Sequence, residues 1–541
     1  LTAIPWLTIL ISIWFKKFPL RQLLVGYYAI VCLLISLIFV GDMCLYPFWN
    51  FKLDASVFLY LDSPKNAMAS VSTGFIILRI LVILLLSGFV TWILYRITPR
   101  YLPPANKKIT GTLATILLGG VLFIIIRGGV SESTSNIGQV YFCNDEFLNH
   151  SAVNPAFSLI ASAGKTKNYS EQFNYFDETH RKELFDNLYP TGGENTVELL
   201  NTKRPDILII LMEGFGATMV ESLGGVKGAS PNIDRLSKEG IWFTQCYANS
   251  FRTDRGTICT FSGYQSFPDL SVMKIPAKSR TLPSIAGKLA EEGYHTDFLY
   301  GGDINFTNMK SYLLESGYQK LTADTDFPMS QHQNAWGVND DITFDHLYQM
   351  LKDRRDSPWH TAFLTLSSHE PFEVPYHRLK EKQPNAFAFT DHCLGEFVER
   401  IRKTPVWNNL LIVCLPDHGF YYPAEGNGHD ARIHHIPMLW LGGAVKQPMV
   451  INQVMNQSDL AQLGIDHSEF NFSRNILSTT YTYPFAYWTF GGGFAFADST
   501  GVTLVDINAD RPMLEIPSPD ENRILRGKAI LQSSYDDLGE R

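Results

Sequence analysis

The chain has few of the patterns that mark nucleic-acid binding or cysteine-based sites. Its net charge is −8, and its basic residues form no long run, so we expect no nucleic acid among its partners. The seven cysteines are odd in number and include no C-x-x-C pair, which argues against a zinc ribbon and a complete disulfide framework. Most cysteines are expected to be small buried apolar residues, with one disulfide as an open alternative.

Apolar residues, by contrast, are abundant. With 541 residues the chain is too long for one average domain, so at least two structural parts are expected. Its residues are 45% hydrophobic and 13% aromatic, which is enough for a large core. Three apolar runs in the first quarter are each long enough to cross ~30 Å of hydrocarbon and predict transmembrane helices: residues 22–45, 74–95 and 109–126. A shorter run, residues 1–15, begins without methionine. Residues 1–127 are therefore predicted to be a membrane anchor with about four helices, and five in the full protein; helices of a buried core are the alternative.

Basic residues flank these runs unevenly. They follow the short run of residues 1–15 and also lie between the runs of residues 74–95 and 109–126. The loop of residues 47–72, in contrast, carries balanced charge. By the positive-inside rule the basic loops are cytoplasmic, so everything after Arg127 is predicted to be extracytoplasmic. Residues 128–203 are polar and are predicted to be a linker with one or two amphipathic helices, for instance near residues 178–188.

From Arg204 onward short apolar strands alternate with helical patterns, which is typical of an α/β domain whose mostly parallel sheet has helices on both faces. Strands are predicted at residues 206–212, 295–300, 361–366 and 410–415, and helices at 232–239, 282–292 and 341–354. We expect this core to cover residues 204–445. A small C-terminal α+β subdomain is predicted for 446–541, with strands near 479–490 and 501–507 completing the core and a solvated tail from about 517.

Polar residues follow the predicted strands, where open α/β sheets bind ligands. They are Glu213, Asp303, His369 and the pair Asp417-His418. With Thr253, from the stretch FRTDRGT, they provide a hydroxyl, carboxylates and an imidazole, which suits a hard-cation site with a nucleophile inside it. Each has a structural interpretation as well: Glu213 as a helix cap, Asp417 as an Asx turn, and His369 and Thr253 as ordinary loop residues. Their joint position at strand ends favours the site.

Several motifs in this order resemble the sulfatase/alkaline phosphatase superfamily. They are Arg204-Pro205-Asp206 through Glu213-Gly214-Phe215, Ser230-Pro231-Asn232, Tyr300-Gly301-Gly302, Ser367-Ser368-His369-Glu370-Pro371-Phe372 and Pro416-Asp417-His418-Gly419. Together with the multi-helix anchor they are similar to the lipoteichoic acid synthase and phosphoglycerol transferase branch. The resemblance covers about residues 204–443 and implies a multi-pass protein of the bacterial cytoplasmic membrane with an outward catalytic domain.

The resemblance implies roles for particular residues. Glu213, Thr253, Asp417 and His418 would bind one divalent cation, manganese by resemblance, with magnesium or zinc as alternatives. Thr253 would also be the nucleophile that forms a phospho-threonine intermediate, and His369 would hold the phosphoryl oxygens or protonate the leaving alkoxide. Substrate contacts fall on the following residues: Arg252, Arg255, Asp303, Asn305, Asn308 and His429.

The chain departs from the branch at the headgroup motif. The synthases have a tryptophan and an arginine near this motif, and residues 303–309 contain neither. Trp336 could supply an aromatic wall, although core packing is the favoured interpretation.

Threonine at the nucleophile position separates phosphoryl transfer from sulfatase chemistry. Sulfatases of the superfamily use a cysteine or serine oxidised to formylglycine, which Thr253 cannot form. The expected function is transfer of a phosphoglycerol-type group from an outer-leaflet phospholipid to a glycan, glycolipid or polyol acceptor. The alternatives are phosphoethanolamine transfer, a sulfatase-like phosphodiesterase or hydrolase, and an inactive binding module on the membrane.

Overall fold

The structure is a computed structural model, and it describes most of the chain. The described ranges are residues 2–15, 18–49, 52–55, 57–58, 73–100, 107–130, 133–143, 145–163, 168–334, 336–423, 430–464 and 469–541. The chain forms two compact units, residues 1–167 and 168–541. All seven cysteines lie in described ranges and none is paired; five of them are buried, as expected.

In the part of the first unit that the structure describes, three helices are long and apolar enough to cross a membrane. A short apolar helix, α1 (Ala3–Trp14), comes first, and the long ones follow: α2 (Leu20–Trp49), α3 (Thr73–Ile97) and α4 (Lys108–Arg127). Few side chains of α3 and α4 are buried, which argues against helices of a protein core. Two short helices follow among the described residues of the unit: α5 (Glu146–Ala152) and α6 (Pro155–Ser162). The side of the membrane on which each loop lies stays a prediction.

The second unit is built on a nine-stranded sheet with the order β10-β2-β9-β8-β1-β7-β3-β4, with β11 paired to β2. All strand pairs are parallel except those of β9, which runs antiparallel to β2 and β8. The strands of this sheet are β1 (Asp206–Met212), β2 (Ile241–Tyr247), β3 (His295–Tyr300), β4 (Lys320–Thr322), β7 (Trp359–Leu364), β8 (Leu410–Pro416), β9 (His435–Leu441), β10 (Met449–Ile451) and β11 (Met455–Asn456). The predicted mostly parallel sheet is confirmed.

Both faces of the central strands are buried, because helices and loops cover the sheet on each side. In β1, Ile209 and Leu211 pack into one core and Leu208 and Ile210 into the other. The helices are α7 (Glu178–Leu188), α8 (Pro231–Leu236), α9 (Thr253–Ser262), α10 (Pro276–Ser279), α11 (Ile285–Glu291), α12 (Met309–Glu315), α13 (Asp340–Leu351), α14 (Lys382–Ile401) and α15 (Leu460–Gly464). A small hairpin joins β5 (His332–Asn334) to β6 (Gly337–Val338).

The C-terminal subdomain differs from the prediction in two respects. Its strands do not complete the main sheet but form a separate four-stranded antiparallel sheet: β12 (Phe485–Phe490), β13 (Gly493–Asp498), β14 (Gly501–Asp506) and β15 (Arg511–Ile516). The predicted solvated tail is wrong, because α16 (Glu521–Glu540) follows. Ile530, Leu531, Tyr535 and Leu538 repeat at helical spacing and are buried, so this helix is part of the core.

Candidate metal centre

The candidate centre lies at the carboxyl ends of two neighbouring strands. β1 and β8 are parallel, and their register pairs Met212 with Pro416. Glu213 and Asp417 each follow directly, so the pairing brings the two carboxylates side by side, with His418 next in the chain. The main sheet therefore positions three of the four predicted ligands.

The fourth predicted ligand, Thr253, is the first residue of α9. Its Oγ1 donates a hydrogen bond to Glu213 Oε2 at 3.1 Å. His418 Nε2 lies 3.4 Å from Glu213 Oε1 and 3.5 Å from Asp417 Oδ2. Donor atoms of Glu213, Asp417 and His418 all lie within 4.8 Å of one another. The structure thus brings all four side chains to one point.

Close backbone packing fixes α9 against this centre. A Cβ built on Gly256 would lie 1.8 Å from the carbonyl oxygen of Asp417. Any side chain at this position would push the first turn of the helix, and with it Thr253, away from the strand end. Gly256 therefore sets the distance between the hydroxyl and the carboxylates.

Protein groups donate hydrogen bonds to one of the two oxygens of the Asp417 carboxylate. Its Oδ1 accepts hydrogen bonds from the backbone N–H of Gly214 at 2.8 Å and of His418 at 2.9 Å. Its Oδ2 is buried and accepts no hydrogen bond from any residue in the described ranges. Buried polar atoms are nearly always paired, so an unpaired carboxylate oxygen facing an imidazole and a second carboxylate fits a cation.

The ionisation of the cluster supports the same conclusion. Burial and the nearby Glu213 carboxylate raise the pKa of Asp417 to about 7. Burial alone would lower the pKa of His418, but the two carboxylates raise it to about 10. Burial likewise opposes ionisation of Glu213, yet the hydrogen bond and charge of His418 lower its pKa to about 2. Two buried carboxylates in contact require positive charge, which a proton on His418 or a divalent cation can supply. The donor set of two carboxylates, one imidazole and one hydroxyl fits the cation.

A pocket of about 480 Å³ opens over these residues. His369 lies on its wall, and its Nδ1 is 2.8 Å from the carbonyl oxygen of Glu370. The ring of Trp336 lies 4.5 Å from the His369 ring, and Phe306 contacts Trp336 edge-on at 5.6 Å. Trp336 therefore lines the pocket and also packs against the hydrophobic core, so both interpretations hold.

Two cationic residues also line the pocket, Arg252 and Lys274. Lys274 Nζ lies 3.0 Å from a carboxylate oxygen of Asp254, which is buried beside Thr253. Lys274 was not predicted, because it lies in a short 3-10 turn 21 residues after Thr253, and no sequence pattern links the two. Ser368, which was part of a predicted motif, donates its hydroxyl to the carbonyl oxygen of Glu213 at 2.6 Å.

Other predicted substrate residues lie outside the pocket lining. Arg255 places its guanidinium 4.6 Å over the ring of Phe251. Asp303 Oδ1 accepts hydrogen bonds from the backbone and side chain of Asn305, and Asn308 is buried. From this segment Phe306 and Thr307 line the pocket instead. His429 lies outside the described residues. The predicted substrate contacts of these residues stay predictions.

Comparison with known proteins relates the second unit to one family. Residues 205–467 match the sulfatase family model. A phosphoglycerol transferase I from Xanthomonas campestris pv. campestris is 26% identical over 147 residues, which cover 24% of this chain. The match spans 21% of the length of that relative, so the shared part is about a fifth of it.

Solved structures extend the similarity to about two thirds of the chain. An alkaline phosphatase superfamily protein from Vibrio parahaemolyticus has a TM-score of 0.60 at 25% identity; the alignment covers 69% of this chain and 98% of that one. The lipoteichoic acid synthase LtaP from Listeria monocytogenes shares the fold, with a TM-score of 0.56 at 15% identity, covering 66% and 98% of the two chains.

Proposed function

Since residues 205–467 of this chain belong to the sulfatase family, within the alkaline phosphatase superfamily, we propose that the protein is a membrane-anchored phosphoglycerol transferase. Its donor is a phospholipid of the outer leaflet, and its acceptor is a hydroxyl of a glycan, glycolipid or polyol. The similarity to a phosphoglycerol transferase I supports this choice of group. The apolar helices of the first unit support location in a membrane.

The observation that carries the proposal is the position of the Thr253 hydroxyl. It lies at the start of α9, 3.1 Å from Glu213, and faces a pocket that His369 and two cationic side chains line. An alcohol nucleophile needs a nearby group that favours loss of its proton, and the reacting phosphate needs positive charge around it. This pocket provides both.

Glu213, Asp417, His418 and Thr253 would hold one divalent cation, manganese, magnesium or zinc. When bound, such a cation would favour the ionised Thr253 hydroxyl and offset the charge of the substrate phosphate. The chain positions these side chains through the β1–β8 register and through the contact of Gly256 with Asp417.

The reaction then has two displacements at phosphorus. Thr253 Oγ1 attacks the phosphodiester of the lipid, the bond from phosphorus to the diacylglycerol oxygen breaks, and the Thr253 proton passes to solvent. His369 protonates the leaving diacylglycerol oxygen. In the second step an acceptor hydroxyl attacks the phosphothreonine, and its proton returns to His369. The bond from phosphorus to Thr253 breaks, and the Thr253 oxygen regains a proton from solvent. Products are diacylglycerol and a phosphoglycerol-modified acceptor.

The walls of the pocket suit an anionic lipid headgroup. Arg252 and Lys274 bring positive charge to the pocket, and five aromatic side chains also line it: Phe251, Phe306, Trp336, Phe372 and Phe420. Phosphate binds cationic side chains, while glycerol carbons and the first acyl methylenes pack on aromatic faces.

A sulfatase-like hydrolase is the second candidate, because the family model is named for sulfatases. Formylglycine arises from cysteine or serine, and the residue that contacts Glu213 here is a threonine. That observation favours phosphoryl transfer over sulfate-ester hydrolysis.

Intact-mass spectrometry of the full chain in detergent tests the proposal. After incubation with manganese and phosphatidylglycerol, we expect a glycerol phosphate adduct that maps to Thr253. Thr253→Ala should carry no adduct, and Thr253→Ser should restore one. If an adduct forms only with phosphatidylethanolamine, the assigned headgroup is wrong, but the mechanism through Thr253 is retained. Release of inorganic sulfate from a sulfate ester without any phosphate adduct would overturn the proposal.

A further inference from the structure

The segment after the last long helix has its polar and apolar residues reversed relative to a water-soluble protein. In α5, Asn149 and His150 are 2% and 0% exposed, whereas Phe147 is 62% exposed. In α6, Ser158 is 0% exposed and Ile160 is 66% exposed. A soluble surface helix buries its apolar stripe and exposes its polar one. Here the apolar side faces outward.

Hydrogen bonds fix this arrangement next to α5, where the apolar Tyr141 and Val153 are buried together with the polar residues. Asn149 Oδ1 accepts from the backbone N–H of Phe142 at 2.8 Å, and Asn149 Nδ2 donates to the carbonyl oxygen of Cys143 at 2.6 Å. The buried amide therefore holds the backbone at Phe142, and this residue is 65% exposed. The remaining exposed apolar residues of the segment are Val140, Leu148 and Phe157.

Contacts with α2 fix the depth of this surface relative to the membrane spans. Tyr46, near the end of α2, has its hydroxyl 3.0 Å from His150 Nδ1. The backbone N–H of Ala55, just after α2, donates to Ser162 Oγ at 2.8 Å. Successive spans alternate in direction, so the ends of α2 and α4 lie at the same membrane face. The segment that follows α4 is thus held at the level where α2 leaves the hydrocarbon.

We propose that the lipid-contact segment, residues 140–143 and 145–162, lies in the plane of the membrane with its outward apolar side chains in the boundary between headgroups and acyl chains. Aromatic residues favour this boundary, and in-plane amphipathic helices insert their apolar face by roughly 5–10 Å. The occupant of the surface is the bilayer, because the segment is continuous with α4 and hydrogen-bonded to the end of α2. This role is separate from the proposed transfer reaction.

Photolabelling of the full chain in phosphatidylcholine vesicles tests the proposal. One vesicle set contains a phosphatidylcholine with a diazirine near the ester carbonyl, and another has the diazirine at the end of the acyl chain. We expect peptides of residues 140–162 to be labelled by the shallow probe and at least fivefold less by the deep probe. Peptides from the middle of α3 should react with the deep probe and serve as the internal reference.

Two outcomes would overturn the proposal. If the segment is unlabelled by both probes while α3 is labelled, its apolar face covers protein instead of lipid. If the deep probe labels it as strongly as α3, the segment enters the hydrocarbon core. A variant with Phe142→Glu, Phe147→Glu and Ile160→Glu should lose at least half of the shallow labelling in this segment and keep the α3 labelling. Unchanged shallow labelling of the variant would also contradict the assignment.

Discussion

Gln457 donates a hydrogen bond from its side-chain amide to the carbonyl oxygen of Asp417 at 2.8 Å. The same amide nitrogen donates to the carbonyl oxygen of Pro416, also at 2.8 Å, and the side chain is fully buried. One side chain thus holds the two peptide units from which the proposed metal ligands project. Asp459, two residues later, is paired with the buried Arg474 at 2.6 Å, which anchors this turn.

We predict that Gln457→Leu weakens manganese binding about tenfold. The substitution leaves two buried carbonyl oxygens unpaired, which costs about 1–3 kcal/mol each and releases the Asp417 backbone. Gln532→Leu is the matched control, because Gln532 is a buried amide that hydrogen-bonds the backbone of Tyr175 and Phe176 outside the centre. Calorimetric titration with manganese measures the difference. Equal loss of affinity in both variants would contradict a positioning role for Gln457.

Gly256→Ala adds only one methyl group but should strongly disturb the candidate metal centre. The added methyl would lie 1.8 Å from the Asp417 carbonyl oxygen, so α9 must shift. We expect about 1–3 kcal/mol of destabilisation and loss of most adduct formation on Thr253, because the hydroxyl moves with the helix. Gly491→Ala is the control, since a Cβ there meets no atom within 4 Å. Denaturant unfolding and adduct mass are the measurements, and full adduct formation by Gly256→Ala would refute the account.

Stability should fall at acidic pH through His360. This imidazole is fully buried between Tyr318, 3.1 Å from Nε2, and the carbonyl oxygen of Ile207, 3.3 Å from Nδ1. Burial, with a smaller contribution from Arg354, lowers its pKa to about 4. A pKa lowered by folding means that the stabilising contribution is complete above the unfolded value of about 6.5 and is lost as the pH falls towards 4.

The expected loss from this group is on the order of 3 kcal/mol between pH 7 and pH 4. His360→Gln should flatten the pH dependence of the unfolding free energy by that amount, while His392→Gln, at an exposed position, should leave it as in the wild type. Urea unfolding at a series of pH values checks this. A wild-type slope in His360→Gln would mean that other groups carry the acid sensitivity.

Trp336 should affect transfer without affecting metal binding. Its ring lies 4.5 Å from His369 and forms one wall of the pocket. We expect Trp336→Ala to lower kcat/KM for lipid transfer about tenfold, the equivalent of about 1.4 kcal/mol, and Trp336→Phe to recover most of it. Trp407→Ala, a partly buried tryptophan that stacks with Arg402, is the control. A drop in manganese affinity in Trp336→Ala would place the residue in a different role.

How well each part of the fold and of the site could be predicted depended on how far apart the interacting residues lie in the sequence. Glu213 and Asp417-His418 could be predicted because they directly follow uniformly apolar strands, and parallel strands bring such ends together. Strand β2, in contrast, mixes polar residues into its pattern, and helix α9 contains three threonines, a glycine and a serine, which favour helix weakly. Gln457 contacts Asp417 from 40 residues further along the chain, and Lys274 lies 21 residues after Thr253. Both lie in irregular turns. Such contacts depend on tertiary packing, which local periodicity does not encode.

The final prediction separates metal binding from stability. Asp417→Asn keeps the Oδ1 acceptor for Gly214 and His418 and removes one of two buried negative charges that both face His418 Nε2. The metal-free variant should therefore be more stable than the metal-free wild type, by about 1–2 kcal/mol at pH 8. Manganese at a hundred times its Kd should stabilise the wild type by about 2.7 kcal/mol and the variant by much less.

Thermal unfolding with and without manganese distinguishes a specific loss of metal binding from a general loss of stability. Asp391→Asn is the matched control, because Asp391 is equally buried but accepts hydrogen bonds from Asn232 and Ile233 away from the centre. That variant should lose stability and still respond to manganese. If Asp417→Asn instead responds to manganese like the wild type, the unpaired Oδ2 is not a cation ligand. A metal-free Asp417→Asn less stable than the wild type would mean that the two carboxylates do not repel, and the cluster would then be held by the His418 proton alone.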